Sequence, residues 1–149
     1  MAERRQSANL GAGNNPIEII QDSRVLATGA GVLVAHISRN AIVQASRETF
    51  GWASKDVDGG GGIKYYGSKT DAKSNKVIDT SKEIVSAYWA RVLLGLGQVV
   101  AGTLLIGSQA SFSAGADGVR GDPNIEYFGL GFAASGAANV FTAIAQLDT

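Results

Sequence analysis

Val92-Leu93-Leu94-Gly95-Leu96-Gly97-Gln98-Val99-Val100-Ala101-Gly102-Thr103-Leu104-Leu105-Ile106-Gly107 is the stretch on which the fold turns. Only Gln98 and Thr103 interrupt its run of aliphatic residues, glycine and alanine, and no charge occurs from residue 92 to residue 116. Ile84, Tyr88, Val92, Leu96, Val99, Val100, Thr103 and Ile106 recur at helical spacing. A glycine inside an isolated helix costs about 1 kcal/mol relative to alanine. Gly95, Gly97 and Gly102 therefore make sense where a second backbone comes close. Just upstream, Thr80 and Glu83 have the spacing of a capping box, in which each satisfies the other's backbone donor. The reading is a long helix over about 81–107.

Working outward toward the C-terminus, residues 127–147 form a second uncharged run. Gly131 with Ser135, and Ala133 with Ala137, stand at small-xxx-small spacing, and Phe128, Phe132, Val140 and Ile144 share a face. This predicts a second long Gly/Ala-rich helix over about 126–146. Between the two lies a polar, glycine-rich turn, residues 108–122.

Toward the N-terminus, Asp22-Ser23 suits the cap of a shorter helix over about 24–47, with Leu33, Ile37, Ala41 and Ala45 as its apolar stripe. Its uncharged part, residues 25–38, falls short of the roughly 20 residues a bilayer needs. A core or interface helix is the expectation, with a strand as alternative because Val25, Val32, Val34, Ile37, Ile42 and Val43 are β-branched. Residues 53–79 are polar, carry Gly59-Gly60-Gly61-Gly62 and read as a Gly-rich loop or small hairpin anchored by Ile63, Tyr65 and Tyr66. The fold class expected is mainly α. Residues 1–15 form an extended arm that needs a neighbour to hold it, and residues 16–149 form a single domain.

Composition narrows the function. Formal net charge is zero, so there is no global field to recruit nucleic acid. Charged residues are 17% of the chain and glycine 20 of 149, below and above ordinary usage respectively, so less surface is meant for water. The absence of cysteine excludes disulfides and thiolate chemistry. The first ten residues lack the apolar core of a secretory signal.

Candidate chemical motifs fail on spacing. Residues 62–70 resemble a phosphate-binding loop, but Ser68 separates Gly67 from Lys69. Asp56 and Asp58 open a calcium-loop pattern that lacks its closing Glu. Asp117 and Asp122 flank a flexible turn and suit solvated turn formers better than metal ligands, and Arg120-Gly121-Asp122 is an adhesion tripeptide by spelling alone. His36, the sole histidine, has no partner for catalysis. No catalytic, cofactor-binding or metal site is expected, and the chain reads as a non-enzyme.

Three functional classes follow. The first is a structural subunit that assembles with copies of itself, and with other virion proteins, into a coat, an internal virion component or a filament. Its place would be the virion or another extracellular assembly. Gly95, Gly102, Gly131, Ala133 and Ser135 are its candidate interface residues, with Trp89, Phe128 and Phe132 as aromatic anchors. The alternative is a small integral membrane protein, with lipid as partner and two spans over 84–107 and 127–147. Its lysine-bearing segments and C-terminus would then share the cytoplasmic side, and Tyr88, Trp89 and Tyr127 would mark the interfaces. The third class is a soluble helical or α+β binding domain.

Overall fold

The computed structural model describes residues 16–55, 62–113 and 122–145. The N-terminal arm, the glycines at 59–61 and the motifs at Asp56, Asp58 and Asp117 lie outside the described residues. A short helix α1 (Pro16–Gln21) opens the chain, Pro16 taking the first helical position, where its missing N–H costs nothing. Asp22 then breaks the helix and starts the next. Its carboxylate accepts from the Arg24 backbone N–H at 2.8 Å and from the Arg24 guanidinium at 3.0 and 2.6 Å. Helix α2 (Ser23–Ala45) follows. Residues 25–43, which hold the β-branched side chains, are all helical, so they do not make a strand.

A single-turn helix α3 (Arg47–Phe50) ends at Gly51, whose φ of 61° lies where a side chain is strained. That residue turns the chain into a three-stranded antiparallel meander, β1 (Trp52–Lys55), β2 (Ile63–Thr70) and β3 (Lys76–Glu83), in the order β1-β2-β3. The loop-or-hairpin expectation for 53–79 thus gives way to a sheet reaching residue 83. Tyr65 and Tyr66, two of the expected anchors, are buried. Asp71 closes the β2–β3 turn by accepting from the backbone N–H groups of Lys73 and Asn75, both at 2.8 Å.

The expected helix start at Thr80–Glu83 is corrected. These residues belong to β3, and helix α4 (Ser86–Ser113) begins only at Ser86. The competing interaction is local. The Asp79 carboxylate accepts from the Ser81 backbone at 3.2 Å and its hydroxyl at 2.7 Å. Meanwhile Glu83 pairs with Tyr66 across an irregularity in the β2–β3 register. A side chain offering the backbone an Asx-type turn competes with a helix start, and here the turn wins. At its other end α4 runs into the stretch expected to be a turn. Helix α5 (Pro123–Ile144) is capped by Asp122, which accepts from the Asn124 backbone at 2.9 Å.

Helix α5 packs between α2 and α4. It runs antiparallel to α4 and parallel to α2, so the sheet joins the helices at one end of the bundle.

Candidate functional site

The bundle is inverted relative to a water-soluble one. The buried line of α2 is Gly31, Ala35, Arg39 and Val43, one residue per turn. The stripe expected to form its core points outward instead. Leu33 is 58% and Ile37 56% exposed, and Ala41 and Ala45 are exposed too. On α4, Ala87, Arg91, Val92, Gly95, Gln98 and Gly102 are buried, while Leu93, Leu96, Val100 and Leu104 face out. On α5 the buried residues are Gly129, Gly131, Gly136 and Ala143, whereas Leu130, Phe141 and Ile144 are exposed. Apart from Val43 and Val92, the buried residues of these helices are small or polar, while most of the large apolar ones face out.

Two glycine seams explain how the helices come so close. Along the α4–α5 contact, a Cβ added at Gly102 would stand 2.5 Å from both the Gly129 carbonyl oxygen and the Ala133 nitrogen. Two turns earlier, one at Gly95 would stand 2.8 Å from Val140 Cγ2 and 3.0 Å from the Gly136 oxygen. Along α2–α5, a Cβ at Gly31 would collide with the Phe128 carbonyl, and one at Gly131 with the Thr28 carbonyl. Without a Cβ on either side, backbones approach and dispersion contacts accumulate.

The structure therefore gathers Gly95, Gly102 and Ala133 on one seam and places Gly131 on the other, both inside a single chain. Ser135 is half-buried. Phe128 and Phe132 stack with centroids 6.3 Å apart. Trp89 stands apart from the seams, 62% exposed, with its ring edge-on to Tyr88 at 5.2 Å. Gly97 differs from its neighbours in sequence, since nothing lies within 4 Å of a Cβ built there. His36 is exposed, and its Nε2 lies 3.1 Å from Asn40 Nδ2.

Sequence reading missed the polar interior. Gln98, 5% exposed, donates from Nε2 to the Ala35 carbonyl at 2.7 Å, and its Oε1 accepts from Asn139 Nδ2 at 2.8 Å. One carboxamide thus ties α4 to α2 and to α5. Toward the sheet, Arg91 is 4% exposed and Arg39 9%. Arg91 donates to the carbonyls of Phe50 at 3.2 Å and Gly51 at 3.4 Å, and its guanidinium sits 4.2 Å from the Tyr65 ring centroid. The signal that would have found Gln98 and Asn139 is a carboxamide in the middle of each apolar run; Arg39 and Arg91 lie just outside the runs.

At the opposite end the Arg24 guanidinium beside Asp22 holds that carboxyl down at about 2. An apolar cleft of about 460 Å³ opens next to this pair, between α2 and α5, lined by Val25, Val32, Tyr127 and Leu130 among others. In the sheet, the Ser81 hydroxyl holds the Asp79 carboxyl below the usual carboxylate range. No family model, curated protein or solved structure matches this chain.

Helices α2, α4 and α5 are each long and apolar enough to cross a membrane, over Ser23–Ala45, Ser86–Ser108 and Pro123–Ile144. Among the described residues that makes three such helices where two were expected. The uncharged part of α2 is short, but Arg39 is turned inward, so Ala41 and Ile42 extend the exposed apolar surface beyond Ile37, with His36 exposed beside it.

Proposed function

We propose that this chain is a three-span integral membrane protein with a structural, non-catalytic role, its small sheet projecting on one side of the bilayer. The observation that carries the reading is the inversion of the helices. Burying one Leu, Ile, Val or Phe side chain is worth about 1.5–3 kcal/mol, and a domain's whole stability is about 5–15 kcal/mol. A chain that turns Leu33, Ile37, Leu93, Leu96, Leu104, Leu130 and Phe141 outward needs those faces covered. A bilayer covers them without requiring any further protein. Its interior also suits what the helices enclose, since small residues and a hydrogen-bonded amide are what hold helices together in lipid.

Orientation follows from the basic residues. The segment between α2 and α4 carries Arg47, Lys55, Lys64, Lys69, Lys73, Lys76 and Lys82; the remaining segments outside the helices' interiors carry Arg4, Arg5, Arg24 and Arg120. The excess places the sheet on the cytoplasmic side. With three spans, Asp22 and Ile144 fall on opposite sides, unlike the hairpin that two spans would give.

Self-assembly into a virion component or filament is the second reading, and one observation favours it. Gly97 and Ala101 lie one turn apart on the outward face of α4, open to a second helix. The assembly would then be one of membrane-embedded copies.

Flotation of a detergent-free lysate, followed by alkaline carbonate washing of the lipid fraction, tests the membrane reading. The chain is expected to rise with lipid and stay there after the wash. A small soluble species left in the load would sink it. Negative-stain microscopy of the same fractions tests the second reading, for which regular particles or filaments are the expected result and dispersed material the contrary one.

A further inference from the structure

One outward face of α2 is not wholly apolar. Leu26, Gly29, Leu33, His36 and Asn40 recur at intervals of three and four residues, and all but the half-buried Asn40 are exposed. That is the spacing of a helix–helix seam. We infer that this seam pairs with the same seam of a second copy, the two α2 helices running parallel through the bilayer, and that His36 and Asn40 set the register by hydrogen bonds between the copies.

The hydrogen-bonding atoms left over at this pair carry the inference. The hydroxyls of Thr28, Ser38, Thr103 and Thr142 each donate to a carbonyl of their own helix, at 2.6 to 2.9 Å. Gln98 and Asn139 bond inside the bundle. His36 and Asn40 have only each other, through Nε2 and Nδ2 at 3.1 Å, and among the described residues the imidazole Nδ1 and the Asn40 Oδ1 meet no partner. With Asn40 donating, the imidazole carries its proton on Nδ1, so the pair keeps one donor and one acceptor. Turning the carboxamide over exchanges the two roles and leaves the same count.

Depth decides what can satisfy them. His36 lies 13 residues after Ser23 and 9 before Ala45. At 1.5 Å per residue these are about 20 and 14 Å, near the middle of a roughly 30 Å core. Water is absent there, and lipid chains offer neither a donor nor an acceptor. A second copy offers both. Around a two-fold axis normal to the bilayer, each copy's spare donor can meet the other's spare acceptor, so the patch is complementary to itself, as an isologous contact requires. Two turns away, a Cβ built at Gly29 meets nothing within 4 Å, which leaves room for the partner's backbone. The pairing rests on the membrane reading and names the surface by which copies would associate.

The test uses the full chain in the membranes of the cells that make it, where every copy has one orientation. Single cysteines enter a chain that has none: Leu33→Cys on the seam, and Val34→Cys, also exposed but about 100° further round α2. Under a mild oxidant the first is expected to give a disulfide-linked dimer and the second none. Adding His36→Leu to the Leu33→Cys chain should cut the dimer, and His36→Gln, which keeps a donor and an acceptor, should preserve it. Energy transfer between copies labelled at Lys73→Cys, followed as added lipid dilutes them in vesicles, should give His36→Leu a dissociation constant about tenfold higher, the scale of hydrogen bonds between membrane helices. Unchanged circular dichroism of His36→Leu controls for the fold. A dimer that links equally through residue 34, or that ignores His36→Leu, overturns the proposal. A linked product of another size overturns the self-pairing and assigns the seam to a different protein. Flotation separates the remaining failures. A chain that floats yet stays monomeric at every dilution defeats the pairing alone, and one left in the aqueous load defeats the membrane reading and the pairing with it.

Discussion

Asn139 donates from Nδ2 to Gln98 Oε1 at 2.8 Å, and this contact makes Gln98 the junction of all three long helices. A carboxamide in an apolar surrounding has no water to fall back on, so each half of the pair depends on the other. Across membrane helices such bonds average about 0.6 kcal/mol and reach about 1.7. Gln98→Leu, Asn139→Leu and the double variant, unfolded in mixed micelles, should give a coupling energy in that range. A coupling near zero would mean that the two side chains are held by packing alone.

The glycine seams predict opposite outcomes for residues close in sequence. Gly102→Ala places a methyl group 2.5 Å from backbone atoms of α5 that cannot rotate away, so the helices must separate. Overpacking of this kind costs about 1–3 kcal/mol. Gly97→Ala meets open space and removes a helix-weakening glycine, a gain of up to about 1 kcal/mol. Thermal unfolding in detergent should lower the midpoint for the first and hold or raise it for the second. Equal effects at both positions would remove the seam from the argument.

The seams were partly legible in the sequence, because Gly95, Gly102 and Gly131 are small where long apolar residues surround them. The direction each helix faces was not. Leu33, Ile37, Ala41 and Ala45 do form an apolar line, but periodicity reports only that a line exists. Whether it meets protein or lipid depends on what occupies the other face, and there Gly31 and Ala35 offer no size while Arg39 offers charge. The sheet was obscured for a different reason. Thr80 and Glu83 fit a helix cap locally, and the Asp79–Ser81 turn that displaces it is only apparent once β3 is paired with β2.

Asp79 gives the sheet a dependence on acid. Hydrogen bonds from Ser81 hold its carboxyl below the ordinary value, so the folded state prefers the ionised form more than the unfolded chain does. The resulting stabilisation is complete above the unfolded value of about 3.9 and is lost as pH falls through the lower, folded one. With Trp89→Phe leaving Trp52 as the only tryptophan, Trp52 fluorescence should therefore report loosening of the sheet below about pH 4. Ser81→Ala, which removes the strongest donor to Asp79, should shrink that acid-dependent change. An identical pH profile in the variant would locate the acid sensitivity elsewhere.

Sidedness is the sharpest consequence of the three-span proposal. The native chain has no cysteine, so single cysteines can be introduced without a background. Lys73→Cys lies in the β2–β3 turn, and Gln21→Cys lies at the end of α1, just before the cap of α2; both positions are exposed. If α2 crosses the bilayer, a membrane-impermeant maleimide added to intact cells should label residue 21 and spare residue 73 until the membrane is opened. In inverted vesicles the order should reverse. Labelling of both from the same side would mean that α2 does not cross, because one span separates these two positions. The inward-facing line of Gly31, Ala35 and Arg39 would then have to be explained by a helix lying against the bundle in water, with its Leu26, Leu33 and Ile37 covered by another copy.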